Sequence, residues 1–264
     1  MRILVNGACG KMGTEVVKTV INETGNQLVA ACDQINIGKD IVKLLALSGP
    51  AVTIRSDLEQ SIKMAKPEVI IDFTNPVSVM NNIKTGLTNR VHMIVGTTGI
   101  TSVDLTTIEN LTDQYGVNAL IVPNFALGAV LMMRFAAEAA RYFPQVEIVE
   151  LHHNQKMDSP SGTALKTAEL INRYRSELKS EEDFVEIEKL SGSRGGDADG
   201  IRVHSIRLPG LVAHQEVIFG ADGQSLTIRH DSYNRRSFMP GVKLALQKIT
   251  ELKGLVYGLE RILA

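Results

Sequence analysis

Residues 2–13 have the sequence Arg-Ile-Leu-Val-Asn-Gly-Ala-Cys-Gly-Lys-Met-Gly, in which a short apolar segment leads directly into Gly7, Gly10 and Gly13. The apolar segment predicts a buried β-strand, and the apolar positions of residues 14–23 recur at helical spacing. A glycine turn between a strand and a helix lets backbone amides approach a pyrophosphate, and the helix dipole favours the anion. The stretch therefore predicts a dinucleotide-binding α/β fold, with a purely structural turn as the alternative.

Four more strand-like apolar segments follow, and helical patterns lie between them. They are residues 28–32, 67–72, 92–95 and 119–122. This alternation predicts βαβ units in a doubly wound, mostly parallel (Rossmann) sheet, whose ligands bind beyond the carboxyl ends of the strands. The tripeptides that begin at Asp72, Gly96 and Pro123 follow three of these strands. We therefore expect them to line one crevice together with the glycine loop.

Asp33 ends the second predicted strand, where an acidic side chain can accept hydrogen bonds from an adenosine ribose. This position favours NAD, because a 2′-phosphate would be repelled by Asp33 unless a cation compensates. Lys11, in the glycine loop, is a candidate for that cation, so the use of both cofactors stays open. A simple loop cap is the alternative role of Asp33.

The pattern changes in the second half of the chain, where strands follow one another on short turns. Strands are predicted at residues 146–151, 201–208, 213–220 and 224–231, and helices at 128–142, 161–178 and 240–264. Residues 191–200 have the composition of a flexible loop. Consecutive strands favour a mainly antiparallel or mixed sheet, so we predict a second, α+β domain. Its single helix layer would leave one sheet face free, which suggests burial in an oligomer.

These patterns give two domains, with residues 1–127 and 236–264 forming the first and residues 128–235 the second. The helical tail is expected to pack on the first domain.

Composition excludes several classes of protein. The 264 residues carry a formal net charge of −1 without a basic block, so nucleic acid is not an expected partner. Two cysteines, Cys9 and Cys32, do not make a disulfide framework or a zinc ribbon. The sequence shows neither a signal peptide nor a long apolar run, so we expect a cytoplasmic protein without a membrane segment.

The segment from Glu150 to Ala164, Glu-Leu-His-His-Asn-Gln-Lys-Met-Asp-Ser-Pro-Ser-Gly-Thr-Ala, carries the chemistry. A strand end delivers His152, His153 and Lys156, and a helix opens at Ser161, whose free amides form an anion site. Cations beside a helix N-terminus gain nothing structurally, so the cluster indicates a bound anion such as a carboxylate. A histidine can donate a proton near neutral pH.

Three alternatives remain for this segment. Asp158 or Ser159 would cap the helix in the first, and the histidines would be ordinary surface residues in the second. In the third, the histidines would bind a metal together with Glu150 or Asp158. Adjacent residues of a strand point to opposite faces and chelate poorly, which disfavours the metal.

Together, these motifs resemble those of the 4-hydroxy-tetrahydrodipicolinate reductase (dihydrodipicolinate reductase) family. The resemblance is carried by G-x-x-G-K-M-G at Gly7, D-F-T at Asp72, G-T-T-G at Gly96, P-N-F at Pro123 and E-L-H-H-x-x-K-x-D-x-P-S-G-T-A at Glu150. It implies reduction of a cyclic imine dicarboxylate to tetrahydrodipicolinate with NADH or NADPH, in diaminopimelate and lysine biosynthesis. It also implies a homotetramer, built through the sheet of a substrate-binding and oligomerisation domain.

The resemblance assigns roles residue by residue. His152 would donate or accept a proton, and Lys156 would be a second proton donor that also orients substrate. The substrate carboxylate would be held by His153, Ser161, Gly162 and Thr163. The dinucleotide would be held by Gly7, Ala8, Cys9, Gly10, Lys11, Met12, Asp33, Phe73, Gly96, Thr97, Thr98, Val122, Pro123, Asn124 and Phe125. No metal is implied.

Two departures bear on the cofactor alone. Gln34 stands where some members carry Arg after the strand-two acid, and Lys11 stands where many carry Arg, so the preference between NADH and NADPH stays open.

Other functions are possible for this arrangement. A phosphorylating aldehyde dehydrogenase needs a nucleophilic cysteine in its substrate site, and neither Cys9 nor Cys32 is placed for that. An amino-acid or hydroxy-acid dehydrogenase would be separated by substrate tests. A nucleotide-sensing regulator would need the glycine loop but not His152 and Lys156.

Overall fold

The computed structural model describes residues 1–175 and 187–263, and these form twelve β-strands and eight α-helices. The strands are β1 (Arg2–Asn6), β2 (Gln27–Cys32), β3 (Ile54–Arg55), β4 (Val69–Asp72), β5 (His92–Val95), β6 (Ala119–Ile121), β7 (Gln145–His152), β8 (Gly196–Asp197), β9 (Arg202–Arg207), β10 (Ala213–Ala221), β11 (Gln224–Ser232) and β12 (Leu255–Tyr257). The helices are α1 (Gly13–Asn22), α2 (Ile41–Leu44), α3 (Leu58–Ala65), α4 (Val79–Thr88), α5 (Ser102–Tyr115), α6 (Leu127–Ala139), α7 (Gly162–Tyr174) and α8 (Met239–Lys248). Short 3₁₀ turns cover Arg235–Phe238 and Leu259–Ile262.

The chain divides into two compact units. The first contains Met1–Phe125 together with the residues from Phe238 onward, and the second contains Ala126–Ser237. None of the helices in the described ranges is long and apolar enough to cross a bilayer.

The first unit is built on a seven-stranded sheet of order β12-β6-β5-β4-β1-β2-β3, in which every neighbouring pair is parallel. Helices follow most strands, and the central strands are buried on both faces, as β4 shows with all four residues inaccessible. Such strands require continuous apolar runs, which is why the sequence pattern identified them. The predicted doubly wound parallel sheet is confirmed.

The predicted helical tail is wrong beyond residue 248. The helix α8 ends at Lys248, and the chain then forms β12, which pairs in parallel with β6 from Leu255↔Ala119 to Tyr257↔Ile121. Asn118 joins the tail to the sheet, because its side chain donates to Ile249 O (2.8 Å) and accepts from Gly254 N (3.1 Å). Three residues are too few to show a period-two pattern, so the strand was hidden behind the helical signal of residues 240–248.

The second unit is built on a five-stranded mixed sheet of order β11-β10-β7-β9-β8. Only β7 and β9 are parallel neighbours, so the predicted mixed sheet is confirmed. The helices α6 and α7 pack on each other, with α6 against β11 and α7 against β7, on one face of the sheet. Strand β8 lies inside the segment 191–200 that was predicted to be a flexible loop.

Two helix ends differ from the sequence pattern. The helix predicted at residues 128–142 ends at Ala139, and that predicted at 161–178 runs from Gly162 to Tyr174. Residues 176–178 of the second prediction lie outside the described residues.

Candidate functional site

The glycine loop is tied to the end of β2 by three backbone amides. The amides of Gly7 and Ala8 donate to Cys32 O at 2.9 and 3.0 Å. The amide of Cys9 donates to Asp33 Oδ2 at 2.7 Å, and Asp33 Oδ1 accepts from Ile35 N at 3.1 Å. Asp33 therefore caps the loop that follows β2 and also anchors the glycine loop. Each of its oxygens retains a lone pair for a ligand.

Two of the three loop glycines are required by the protein's own packing. Gly7 has φ +78°, and a Cβ there would lie 2.4 Å from Phe73 O. A Cβ on Gly13 would lie 1.9 Å from Gly7 O, where the first turn of α1 meets the loop. Gly10 is different, because a Cβ there would meet only Gly7 O at 3.2 Å. Gly7 and Gly13 thus set the loop's shape, and Gly10 keeps its outer side clear.

The start of α1 fits the phosphates of a dinucleotide. The amides of Lys11, Met12 and Gly13 have no hydrogen-bond acceptor among the residues that the structure describes. Unpaired amides at a helix start, beside a loop without a side chain at Gly10, form the donor set that an anionic phosphate needs. Lys11 is exposed there, in a position to add a positive charge.

An aromatic cluster lies at the carboxyl ends of β4, β5 and β6. The rings of Phe73 and Phe125 lie 5.4 Å apart between centroids. A Cβ on Gly96 would lie 2.2 Å from the Phe73 ring, so glycine leaves room for that ring. The structure thus brings together three predicted dinucleotide residues that are 23 to 52 positions apart in the chain.

The other predicted residues on these strand ends differ in exposure. Val122 and Thr97 are buried, Asn124 is half-buried, and Thr98 and Pro123 are exposed. Val122 continues the β6 backbone by donating to Val95 O at 2.8 Å.

Asp72, at the end of β4, links the ends of β1, β4 and β5, and no individual role was predicted for it from the sequence. It is fully buried, and Oδ2 accepts from the side-chain amides of Asn6 (2.8 Å) and Asn82 (2.9 Å). Its Oδ1 accepts from Thr74 N (3.1 Å), Thr74 Oγ1 (2.7 Å) and Thr97 Oγ1 (2.8 Å). A buried carboxylate with five neutral donors ties the loops after β1, β4 and β5 together.

In the second unit, His152 is held by a buried carboxylate. His152 Nδ1 lies 2.5 Å from Glu150 Oε2, and Glu150 is fully buried. Arg207 approaches Glu150 with both terminal nitrogens, Nη1 to Oε2 at 2.9 Å and Nη2 to Oε1 at 2.6 Å. This contact is possible because β7 and β9 are in register, with Glu150 opposite Ser205 and His152 opposite Arg207.

The surroundings lower the pKa of both His152 and Glu150. Burial lowers the pKa of His152 below its ordinary value, Glu150 opposes that shift, and Lys156 and Arg207 add to it. Burial alone would raise the pKa of Glu150, but hydrogen bonds led by that from Arg207 bring its pKa below the ordinary value. At neutral pH Glu150 is therefore ionised, and His152 in the free protein is mostly neutral.

Lys156 lies close to this pair and has one carboxylate partner. Its Nζ lies 2.7 Å from Asp158 Oδ1, and Asp158 is largely exposed. The hydrogen bond from Lys156 lowers the pKa of Asp158. The His153 side chain is exposed, as expected for the residue after His152 on an extended segment.

Ser161, and neither Asp158 nor Ser159, caps α7. Ser161 is buried, its Oγ accepts from Ala164 N at 3.2 Å, and its amide donates to Glu150 Oε1 at 3.3 Å. The amide of Gly162 has no acceptor among the described residues, and a Cβ at Gly162 would meet nothing within 4 Å. Thr163 follows, half-buried, in the first turn. The start of α7 is therefore open to a ligand at Gly162.

The two cysteines are poor nucleophiles. Burial raises the pKa of Cys32 to about 11, and burial together with Asp33 raises the pKa of Cys9. These shifts argue against cysteine-dependent aldehyde chemistry. Within residues 1–175 and 187–263, no three His, Cys, Asp or Glu side chains group as metal ligands.

Comparison with known families matches nearly the whole chain. The sequence-family model described as dihydrodipicolinate reductase, N-terminus, matches residues 1–125. The family model described as dihydrodipicolinate reductase, C-terminus, matches residues 128–263. The chain belongs to the dihydrodipicolinate reductase family. The resemblance found in the sequence motifs is therefore confirmed.

Members of the dihydrodipicolinate reductase family from several bacteria are similar over their full length. The 4-hydroxy-tetrahydrodipicolinate reductase of Desulfitobacterium hafniense (strain DSM 10664 / DCB-2) is 52% identical over 264 residues, covering 100% of this chain and 98% of its own. That of Listeria innocua is 50% identical over 263 residues, covering 100% of both chains. The dipicolinate-bound dihydrodipicolinate reductase of Paenisporosarcina sp. TG-14 superimposes with a TM-score of 0.87 at 46% identity, covering 100% of this chain and 99% of its own.

Outside the dihydrodipicolinate reductase family only the fold is shared. The amine dehydrogenase of Mycobacterium smegmatis superimposes with a TM-score of 0.69 at 12% identity, covering 99% of this chain and 95% of its own. Such a likeness shows the two-unit α/β architecture and carries no chemistry.

Three polar residues of this family member were not predicted as site residues. Asp72 appeared only as part of a motif, Glu150 was considered only as a metal ligand, and Arg207 was not singled out. The burial of a carboxylate in an apolar strand was the available signal for Asp72 and Glu150, because a buried charge needs partners.

Proposed function

We propose that the chain is a 4-hydroxy-tetrahydrodipicolinate reductase, which reduces a cyclic imine dicarboxylate to tetrahydrodipicolinate in diaminopimelate and lysine biosynthesis. One observation carries the proposal. His152, held by Glu150, lies in one segment with Lys156 and with the open helix start at Gly162. The segment therefore offers an acid, a cation and an anion site to a dicarboxylate. The family relationship and the dipicolinate bound to the Paenisporosarcina protein support this substrate class.

The first unit binds NADH or NADPH in this proposal. When bound, the reduced nicotinamide supplies the hydride. The amides of Lys11, Met12 and Gly13 hold the pyrophosphate, with Gly10 allowing its close approach. Asp33 accepts from a ribose hydroxyl with its remaining lone pairs. The remaining contacts are assigned to Gly7, Ala8, Cys9, Phe73, Gly96, Thr97, Thr98, Val122, Pro123, Asn124 and Phe125.

The second unit binds the dicarboxylate substrate. One carboxylate is bound at the start of α7 by the Ser161 hydroxyl, the Gly162 amide and Thr163, since the Ser161 amide already donates to Glu150. His153 adds a donor from the exposed side. Lys156 exchanges part of its contact with Asp158 for the substrate, which is favourable because Asp158 is largely exposed. Pre-placed donors and cations of this kind orient the ring for reduction.

His152 supplies the proton that the reduced ring requires. Hydride addition to a conjugated C=C–C=N system leaves electron density that must be protonated. Since Nδ1 is engaged by Glu150, the proton passes through Nε2. Burial lowers the pKa of His152 in the free protein, and a bound dianion raises that pKa again because it stabilises the imidazolium. Substrate binding thus favours the protonated, charged form of His152, which then donates the proton. Lys156 is the second proton donor.

The homotetramer is proposed to form through the sheet face of the second unit that α6 and α7 leave uncovered. Half-buried apolar side chains alternate onto this face. They are Val149, Leu151, Ile206 and Ile218. A charged group of Glu147, Arg194 and His204 lies on the same face. An apolar centre with charged neighbours is typical of subunit interfaces. We place the enzyme in the cytoplasm, in keeping with its two free cysteines.

A kinetic comparison of NADH and NADPH oxidation with freshly prepared substrate tests the function. We expect turnover that depends on the dicarboxylate with at least one of the two nucleotides. No oxidation of either nucleotide would overturn the assignment. An amino-acid or hydroxy-acid dehydrogenase would instead oxidise its own substrate in the presence of NAD⁺ or NADP⁺.

A further inference from the structure

The buried Glu150 carboxylate has five hydrogen-bond donors, and three of them cannot change their role. Oε1 accepts from Arg207 Nη2 (2.6 Å) and Ser161 N (3.3 Å), and Oε2 accepts from Arg207 Nη1 (2.9 Å). A guanidinium and a backbone amide donate only. The other two partners can either donate or accept: the His152 ring, with Nδ1 at 2.5 Å from Oε2, and the hydroxyl of Ser205, which lies opposite Glu150 on β9.

An ionised carboxylate can only accept, so His152 must carry a proton on Nδ1. Arg207 keeps Glu150 in that ionised form, and it is itself held by Asp158 O (2.9 Å) and Ile206 O (2.9 Å). The neutral ring consequently has its lone pair on Nε2, and the charged ring has its transferable proton there.

We infer that Glu150 is the positioning residue of His152, selecting its Nδ1–H tautomer, and that Arg207 is the counter-charge that holds Glu150 in place. The inference rests on the proposed function for its catalytic consequence, because only there does Nε2 exchange a proton with substrate. It adds two residues, one of them on a different strand, to the chemistry of the site.

Three charged groups act on the protonation of the His152 ring, and a fourth, Asp158, is paired with one of them, Lys156. Glu150 lies on the same strand, Arg207 comes from β9, and Lys156 and Asp158 come from the segment that follows β7. On β10, the residue opposite His152 is Ala213, which carries no charge. Glu150 is therefore the carboxylate in direct contact with the ring, and its removal leaves Arg207 and Lys156 acting against the imidazolium.

Glu150→Gln provides the test, because an amide has one accepting and one donating end. With the NH₂ group at Oε1 it would face two fixed donors, Arg207 Nη2 and Ser161 N. With the NH₂ group at Oε2 it would face Arg207 Nη1 and His152 Nδ1, and the histidine can respond by moving its proton to Nε2. We therefore expect the neutral His152 of E150Q to be the Nε2–H tautomer.

Long-range ¹H–¹⁵N correlation spectra of ¹⁵N-histidine-labelled protein report the tautomer, with the His152 signals assigned by their loss in His152→Gln. The wild-type protein is expected to show the Nδ1–H tautomer above neutral pH. A wild-type Nε2–H tautomer would overturn the inference without any variant, so a misfolded E150Q protein does not leave the question open. Retention of Nδ1–H in folded E150Q would overturn it as well.

Steady-state kinetics distinguish a positioning role of Glu150 from a merely structural one. We expect kcat of E150Q to fall by about 10-fold or more, and the pH above which kcat declines to be lower than in the wild-type protein. KM for the dicarboxylate should not rise. A parallel loss of kcat and rise of KM, with the pH limit unmoved, would mean that Glu150 is only structural. If wild-type protein shows no reductase activity, the proposed function fails, while the tautomer measurement still decides the role of Glu150.

Glu147→Gln is the matched control. Glu147 lies on the same strand and also has an arginine and a histidine as partners, with Arg194 Nη2 at 2.5 Å and His204 Nε2 at 2.7 Å, but on the opposite face of the sheet. E147Q is expected to leave the His152 tautomer and the pH limit of kcat unchanged. Equal changes in both variants would overturn the assignment of Glu150.

Discussion

Asp72 in the first unit and Glu150 in the second are both fully buried carboxylates near the end of a strand, but their partners differ in kind. Asp72 accepts from side-chain amides, hydroxyls and one backbone amide, all neutral. Glu150 accepts from a guanidinium, a backbone amide, a histidine and the Ser205 hydroxyl. The first set holds loops together, and the second also controls a proton.

The two sets also differ in how they can respond to change. The amides of Asn6 and Asn82 can exchange donor and acceptor ends by rotation, and the hydroxyls of Thr74 and Thr97 rotate freely. Around Glu150 the guanidinium and the backbone amide are fixed donors, and His152 and the Ser205 hydroxyl are the partners that can reverse their role. A buried carboxylate with adaptable partners thus tolerates loss of its charge, whereas one with three rigid donors transfers the change to the two partners that can switch, His152 and Ser205.

The largest effect is expected from His152→Gln, which removes the proposed acid. Glutamine keeps a polar side chain beside Glu150 but has no acid near neutral pKa, so kcat should fall by about 10²–10⁴-fold. The measurement is steady-state reductase kinetics, with nucleotide binding followed by fluorescence as a check of the first unit. His153→Gln is the control, for which a higher KM and a much smaller loss of kcat are expected because His153 is exposed. Undiminished turnover in H152Q would remove His152 from the chemistry.

Asp72→Ala is expected to lower the free energy of unfolding by about 3 kcal/mol, since buried donors left without an acceptor cost about 1–3 kcal/mol each. Asp72→Asn should cost about 1 kcal/mol, because the surrounding amides can reorient to satisfy it. Urea denaturation measures both, with the exposed Asp113→Asn as control. Equal losses for alanine and asparagine would contradict the idea that the partners of Asp72 are adaptable.

The pH dependence of the reaction tests the role of His152, the histidine beside Glu150. Burial lowers the pKa of His152, so kcat/KM, which reports the free enzyme, should decline as pH rises through a value below the ordinary 6.5. A bound dianion raises the pKa, so kcat should decline at higher pH than kcat/KM. Rate profiles between pH 5 and 9 decide this, and a kcat limit at lower pH than that of kcat/KM would exclude His152 as the acid.

The smallest effect is expected from Ser161→Ala, which removes the cap that accepts from Ala164 N but leaves the Ser161 amide bonded to Glu150. Loss of a serine N-cap costs about 1 kcal/mol, which should appear in the free energy of unfolding. The exposed Ser102, which begins α5 after its own cap Thr101, is the control position for a Ser→Ala change. An unchanged stability in S161A would show that the start of α7 is held by Glu150 alone.

Local sequence patterns were sufficient for the five central strands of the parallel sheet in the first unit, but not for its edge strands β3 and β12. Its central strands are continuous apolar runs because both faces are covered, and Gly7 and Gly13 are dictated by packing over a few residues. The candidate acid and anion site were equally local, since His152, Lys156 and Gly162 lie within eleven consecutive residues.

What the sequence could not supply depends on register between distant strands. Glu150 meets Arg207 because β7 and β9 pair in parallel across 57 positions, and Asp72 meets Asn6 across 66. Periodicity describes one element at a time and is silent on which strands become neighbours. The edge strand β12 was missed for the same reason, since its only signal is its pairing with β6.

That edge strand has a consequence for how the protein is made. A ribosome that has synthesised residues 1–125 has delivered six of the seven strands of the first sheet, and β12 emerges only after the whole of the second unit. During that interval β6 presents unpaired backbone groups to the cell, the kind of edge that invites pairing with another chain. The nucleotide-binding unit is thus the first to be translated and the last to be completed, so a stalled or truncated nascent chain would be exposed at β6.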